Sequence, residues 1–224
     1  MWRPYDHPLA CRRGSRPAGS AFAAAVAVAF LVAGCSGSGK SATSPTKKAT
    51  TTTVDKGSVA LQVSVAGVES AGRPASIPDT VKDAISRSVN TYVQSATVHP
   101  MQSGKPAADI TALFTAGAAA RLATDLPAFV DSGLPAATGP VAAKTATVVL
   151  TGLAQQDSAV VLVDAGLTLD VAARTKGGPE SVQRTADLVF ANDNGTWKIA
   201  SYDVRVTRSV PGEEPSTTTA VGPK

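Results

Sequence analysis

Few residues in this chain are of a type and spacing that could do chemistry. Gly34 to Ser41, read as Gly-Cys-Ser-Gly-Ser-Gly-Lys-Ser, fit the G-x-x-x-x-G-K-[ST] pattern of a phosphate-binding loop to the letter. Such a loop needs a helix whose N-terminus aims backbone N–H groups at the phosphates. Here Ala42 to Thr53 read ATSPTKKATTTT, hydroxyl-rich and broken by Pro45, so nucleotide binding is not expected. Two cysteines and two histidines in 224 residues cannot build a multi-disulfide framework or a four-thiolate zinc site. A second candidate set is Tyr92, Arg184 and Tyr202: one guanidinium and two phenolic hydroxyls that would suit an anionic ligand if the fold brought them into one pocket.

The N-terminal elements bear on Cys35. Residues 1 to 20 carry Arg3, Arg12, Arg13 and Arg16 against Asp6, and Ala21 to Ala33 form an unbroken apolar run, a basic region followed by an apolar one as in an export signal. Thirteen helical residues rise about 20 Å, short of a hydrocarbon core of roughly 30 Å, so a processed signal is expected rather than a permanent span. Leu31-Val32-Ala33-Gly34-Cys35 resembles the lipobox of bacterial lipoproteins, with Val32, Ala33 and Gly34 leading up to the cysteine. That resemblance implies diacylglyceryl transfer to Cys35, cleavage just before it, and residence at the outer face of the cytoplasmic membrane. Cleavage would leave 17 basic against 16 acidic residues, so little remains to drive nucleic-acid binding. It would also leave Cys35 and His99 as single copies, which excludes a disulfide, a Cys/His nucleophile pair and a histidine-rich metal site; no cofactor is expected.

The organisation expected is a signal over 1–34, a lipidated Ser/Thr-rich tether over 35–56, a domain over 57–210, and a disordered tail over 211–224 containing Pro-Gly-Glu-Glu-Pro. Within the domain, Val59, Leu61, Val63 and Val65 alternate with polar or small residues, predicting a strand that Gly72-Arg73-Pro74 ends. Val81, Ile85, Val89, Tyr92, Val93 and Ala96 fall at helical spacing after Pro78-Asp79, and His99-Pro100 is read as the close of that helix. Asp109 is placed as the cap of a second helix carrying Ile110, Leu113 and Phe114, with a short helix through Ala118 to Leu122, Pro127 as its stop, and a loop over 126–140.

The remainder reads as strands. Thr145 to Leu153 is rich in Val and Thr, and 158–174 sets Val163, Leu167, Leu169 and Val171 on one parity. Val182, Ala186, Leu188 and Phe190 share the next face, and Asn194-Gly195 reads as a tight hairpin. Trp197 and Ile199 have the opposite parity to Tyr202, Val204 and Val206, which predicts a bulge near Ala200-Ser201. Asp164, Asp170 and Asp187 fall on the outward parity. Asp203, beside the bulge, is the carboxylate whose direction parity leaves open, and hence the candidate general base. Arg184 shares the inward parity of Val182, Ala186 and Leu188. The reading preferred is a side chain near a strand end that snorkels to water, with a pocket cation as the alternative.

Helices followed by a meander of long strands predict an α+β domain: helices packed against a curved, mostly antiparallel sheet. The helix over 78–98, Leu113-Phe114-Thr115-Ala116-Gly117-Ala118-Ala119-Ala120-Arg121-Leu122 and the hairpin Asn194-Gly195-Thr196-Trp197-Lys198-Ile199 together resemble the nuclear transport factor 2-like, or cystatin-like cone, superfamily over about 130 residues. Actinobacterial envelope proteins, including those associated with mammalian-cell-entry transport systems, look similar. The resemblance implies a cone whose interior is either filled, as in a binding module, or hollow. The expectation is a membrane-anchored envelope lipoprotein that binds another envelope protein or a small apolar ligand. The alternatives are an isomerase- or cyclase-like enzyme with an inward carboxylate, and a lipid carrier with a long apolar cavity.

Overall fold

A computed structural model describes residues 58–70, 75–155 and 159–223. The export signal, Val32 to Cys35, the tether and the Gly34 to Ser41 pattern lie outside the described residues, as does Gly72-Arg73-Pro74. Six strands form one mixed, curved sheet in chain order: β1 (Gln62–Ser70), β2 (Ala142–Ala154), β3 (Val160–Thr175), β4 (Gly178–Asp193), β5 (Thr196–Ser209) and β6 (Ser216–Val221). Between β1 and β2 come α1 (Asp79–Val93), α2 (His99–Ser103) and α3 (Ala116–Phe129). The helices therefore form a crossover between two strands rather than preceding the whole sheet. β1 pairs parallel with β2, as such a long crossover permits, and all other pairs are antiparallel. Among the described residues no helix is long and apolar enough to cross a membrane.

α1 forms where its apolar residues recur at helical spacing. It buries Ile85, Val89, Tyr92 and Val93, and the N–H groups of Val81 and Lys82 close on the Pro78 carbonyl. The helical path does not end at His99-Pro100, as expected. It widens into a π-helical turn over Gln94–Val98, where the His99 N–H reaches back five residues to the Gln94 carbonyl, and continues as α2 until Gly104, at φ 66°. Pro100 accounts for the widening. As the residue four beyond Ala96 it has no N–H to offer, and the Ala96 carbonyl instead accepts from the Asp131 N–H at 2.8 Å.

The second helix expected after Asp109 is only a 3-10 turn, Thr111–Leu113, with the Asp109 carboxylate accepting from the Thr111 N–H. α3 is longer than the sequence suggested. Thr115 caps it, accepting from the Ala118 N–H, and it runs past Pro127 to Phe129, so 126–129 is helix rather than loop.

The long strands follow the predicted parity. Ala200 is the extra residue of a bulge, since Val189 pairs with Ser201 while Phe190 pairs with Ile199; Ile199 and Tyr202 thereby both point inward. Asn194 (φ 52°) and Gly195 (φ 86°) make the tight β4–β5 turn. Residues 216–221, expected in a disordered tail, instead form β6 against β5, with the Gly222 N–H bonded to the Tyr202 carbonyl at 2.7 Å. β1 also departs from expectation: Val63 and Val65 are 37% and 46% exposed at the edge of the sheet.

Candidate functional site

Arg184 is the largest fully buried side chain among the described residues, 1% exposed on the inner face of β4. The expectation that it snorkels to water is overturned, because its partners are inside. Its Nη1 donates to the carbonyls of Phe129 (2.5 Å) and Ala128 (3.1 Å) and to the Tyr92 hydroxyl, and its Nη2 donates to Asp131 Oδ2 at 2.6 Å. Tyr92 in turn donates to the Phe129 carbonyl at 3.3 Å. The second oxygen of Asp131 accepts from Arg208 Nε at 2.6 Å, and Thr97 Oγ1 donates to Oδ2 at the same distance. Arg208 Nη2 also reaches the Pro127 and Val130 carbonyls, at 2.8 and 3.1 Å.

The arrangement follows from the chain. α3 ends with carbonyls that have no helical partner and carry the negative end of its dipole, and two arginines from β4 and β5 satisfy them. Asp131, two residues beyond the helix, bridges the same two arginines. It is held by its own N–H to Ala96, whose carbonyl Pro100 leaves available. Burial alone would favour a neutral guanidinium, but the Tyr92 hydroxyl and the Asp131 carboxylate outweigh it and keep Arg184 above its ordinary range. The Tyr92 hydroxyl is raised, chiefly by burial.

Tyr202 belongs to a different group. Its hydroxyl donates to Asp125 Oδ2 on α3 at 2.6 Å, and burial and that bond push it up to about 12. Phe129 stands between the two tyrosines, with ring centroids 5.9 Å from Tyr92 and 4.6 Å from Tyr202, and Phe114 packs edge-on against both Phe129 and Tyr202. The three candidate pocket residues thus line one interior, but Phe129 occupies the space between them, and their polar atoms bond to protein groups except Arg184 Nε, which is buried without a hydrogen-bond partner.

Asp203 points outward and is exposed, so the bulge does not turn it into the interior as a general base. With Asp187, its partner across β4 and β5, it lines an open groove of about 440 Å³ on the outer face, together with Gly166, Thr168, Thr185 and Arg205. Asp164 lies two residues from Gly166 on the same face, raised by burial and then by the nearby Asp187 charge. Trp197 packs against the core at the β4–β5 hairpin, and His99 is exposed on α2.

Three inward ionisable groups were not singled out from the sequence: Asp131, Arg208 and Glu180. Parity carried a signal for two of them. Arg208 continues the Tyr202, Val204, Val206 row, and Glu180 begins the Val182, Arg184 row. Among the described residues no group of three or more His, Cys, Asp or Glu side chains could hold a metal ion. Compared with protein-family models, curated proteins and solved structures, the chain finds no match.

Proposed function

We propose that this chain is an exported lipoprotein, acylated at Cys35, whose α+β domain is a cone-like binding module acting through its outer surface on another envelope protein. The observation that carries this reading is the state of the interior: Tyr92, Arg184 and Tyr202, the residues that would grip a small ligand, are engaged by Asp131, Asp125 and the end of α3. An enzyme of the cone type would call for an inward carboxylate beside open space. Asp131 is inward but answers two arginines, Glu180 is inward but only 2% exposed with both carboxylate oxygens buried, and Asp203 faces solvent. The open groove instead lies on the outer face, with carboxylates, threonines and Arg205 as the polar groups a protein partner would meet.

Native mass spectrometry of the full-length chain in detergent tests the reading. The mass of the acylated protein alone, with crosslinks to one defined protein from a photoreactive residue at position 185, is the expected result. A small molecule released on denaturation, and no longer retained by Arg184→Met, would overturn it in favour of a carrier or an enzyme.

A further inference from the structure

Glu180 is the carboxylate among the described residues with both oxygens buried and neither hydrogen-bonded; the residue is 2% exposed. It stands on the inner face of β4 in the same row as Val182 and Arg184, paired across the sheet with Ala173. The segment 130–141 joins α3 to β2 past this end of the inner face and is tied down at both ends. At one end Asp131 holds Arg184, Arg208, Thr97 and the Ala96 carbonyl. At the other, the Ala137 N–H bonds to the Met101 carbonyl at 2.9 Å, and Thr138 donates through its N–H and hydroxyl to the Arg174 carbonyl beside the start of β4. Between the ties are Gly133, at φ 77°, and Leu134, whose side chain is buried in the core.

The ionisable groups on the surrounding elements do not offer Glu180 a counter-charge. Arg184 on β4 and Arg208 on β5 are both bonded to Asp131, and Arg174 on β3, Lys176 in the β3–β4 turn and His99 on α2 are exposed. The Asp131 carboxylate itself is a like charge. An ionised Glu180 would therefore be buried without a hydrogen-bond donor and repelled by Asp131, the group that anchors the start of the segment.

We propose that Glu180 is a proton-operated latch: neutral, it lets residues 132–139 lie closed between their two ties, and ionised, it loosens them so that water reaches Glu180 while Asp131 keeps its arginines. Burial, and then Asp131, push the Glu180 carboxyl up to about 7 from its ordinary 4.5. The folded state thus holds this proton more tightly than the unfolded chain. The stability this confers is present below about pH 4.5 and is lost as pH rises towards 7, a change on the order of 100-fold in the folding equilibrium. Loosening of these residues is a way for the protein to hydrate the charge without unfolding.

Hydrogen exchange of the full-length chain in detergent, at pH 6 and pH 8 with times scaled for intrinsic exchange, tests the latch. Protection of residues 132–139 is expected to fall about ten-fold or more between the two, while the centres of β3 and β4 hold; in Glu180→Gln the segment should stay protected at both. An equal fall in Glu180→Gln, or no fall in the unmodified chain, would overturn the proposal. If Glu180→Gln does not fold, Glu180→Met is measured under the same criterion, since it too lacks the titrating group.

Discussion

A guanidinium sealed from water at Arg184 is tolerated because every strong acceptor near it is already fixed by the fold. The Ala128 and Phe129 carbonyls end a helix, and Asp131 is held by Thr97, which donates to its carboxylate, and by its own N–H, which donates to the Ala96 carbonyl. A buried pair of this kind adds little net stability compared with apolar residues of the same shape, but breaking one partner strands the other. Arg184→Met is therefore expected to cost about 3–5 kcal/mol, read as a lowered urea midpoint with unchanged slope. Tyr92→Phe removes one hydroxyl and should cost about 1 kcal/mol. A cycle pairing Arg184→Met with Asp131→Asn should show a coupling of about 0.5–3 kcal/mol, and additivity would mean that the two side chains do not act as a unit. Strand alternation in the sequence was enough to place Arg184 on the inner face. Its partner was not legible, because Asp131 lies 53 residues away in what reads as a loop and only the packing of α3 brings the two together.

Among the elements, local pattern succeeded where a strand or helix buries one face, and failed where a distant partner decides. The period-2 rows of β3, β4 and β5, the Ala200 bulge and the Asn194-Gly195 turn were all readable, because each side chain's destination is set within its own strand. Pro100 and Pro127 were read as stops, yet both lie in helical turns. The Ala96 carbonyl that Pro100 leaves open is answered by Asp131, and the final turn of α3 is held by arginine donors. β6 escaped notice because Ser-Thr-Thr-Thr-Ala-Val has a single buried residue, Ala220, and gains its order from pairing with β5 and packing on α3. Its end is anchored by close contact: a Cβ on Gly222 would fall 2.7 Å from the Tyr202 ring, which Phe129 and Phe114 hold from other directions. Gly222→Ala should accordingly displace the end of β6, costing about 1–3 kcal/mol and lowering amide protection over 216–221. Unaltered protection there would show that Tyr202 yields easily and that β6 is not anchored at this point.

At the scale of the whole molecule, the chain-order sheet and its one parallel pair have a common origin. β1 leaves the sheet into about 70 residues of crossover before β2 returns beside it, and a connection of that length permits parallel pairing, whereas the hairpins after it enforce antiparallel pairing. Alternation in the sequence identified β1 as a strand but not its neighbour, since nothing local in Gln62–Ser70 encodes a partner at 147–154. β1 is also the first described element after the segment that carries Cys35, so the lipoprotein reading makes a claim about the entire chain that the folded domain does not depend on. Cys35→Ala is expected to leave the domain's thermal midpoint unchanged while the protein either accumulates as an unprocessed precursor or moves from the membrane to the soluble fraction. Fractionation followed by intact-mass analysis reads both outcomes. A fully processed Cys35→Ala protein that still requires detergent for extraction would mean that attachment resides in the folded domain. The half-exposed Val63 and Val65 at the sheet edge would then be the first residues to replace with lysine.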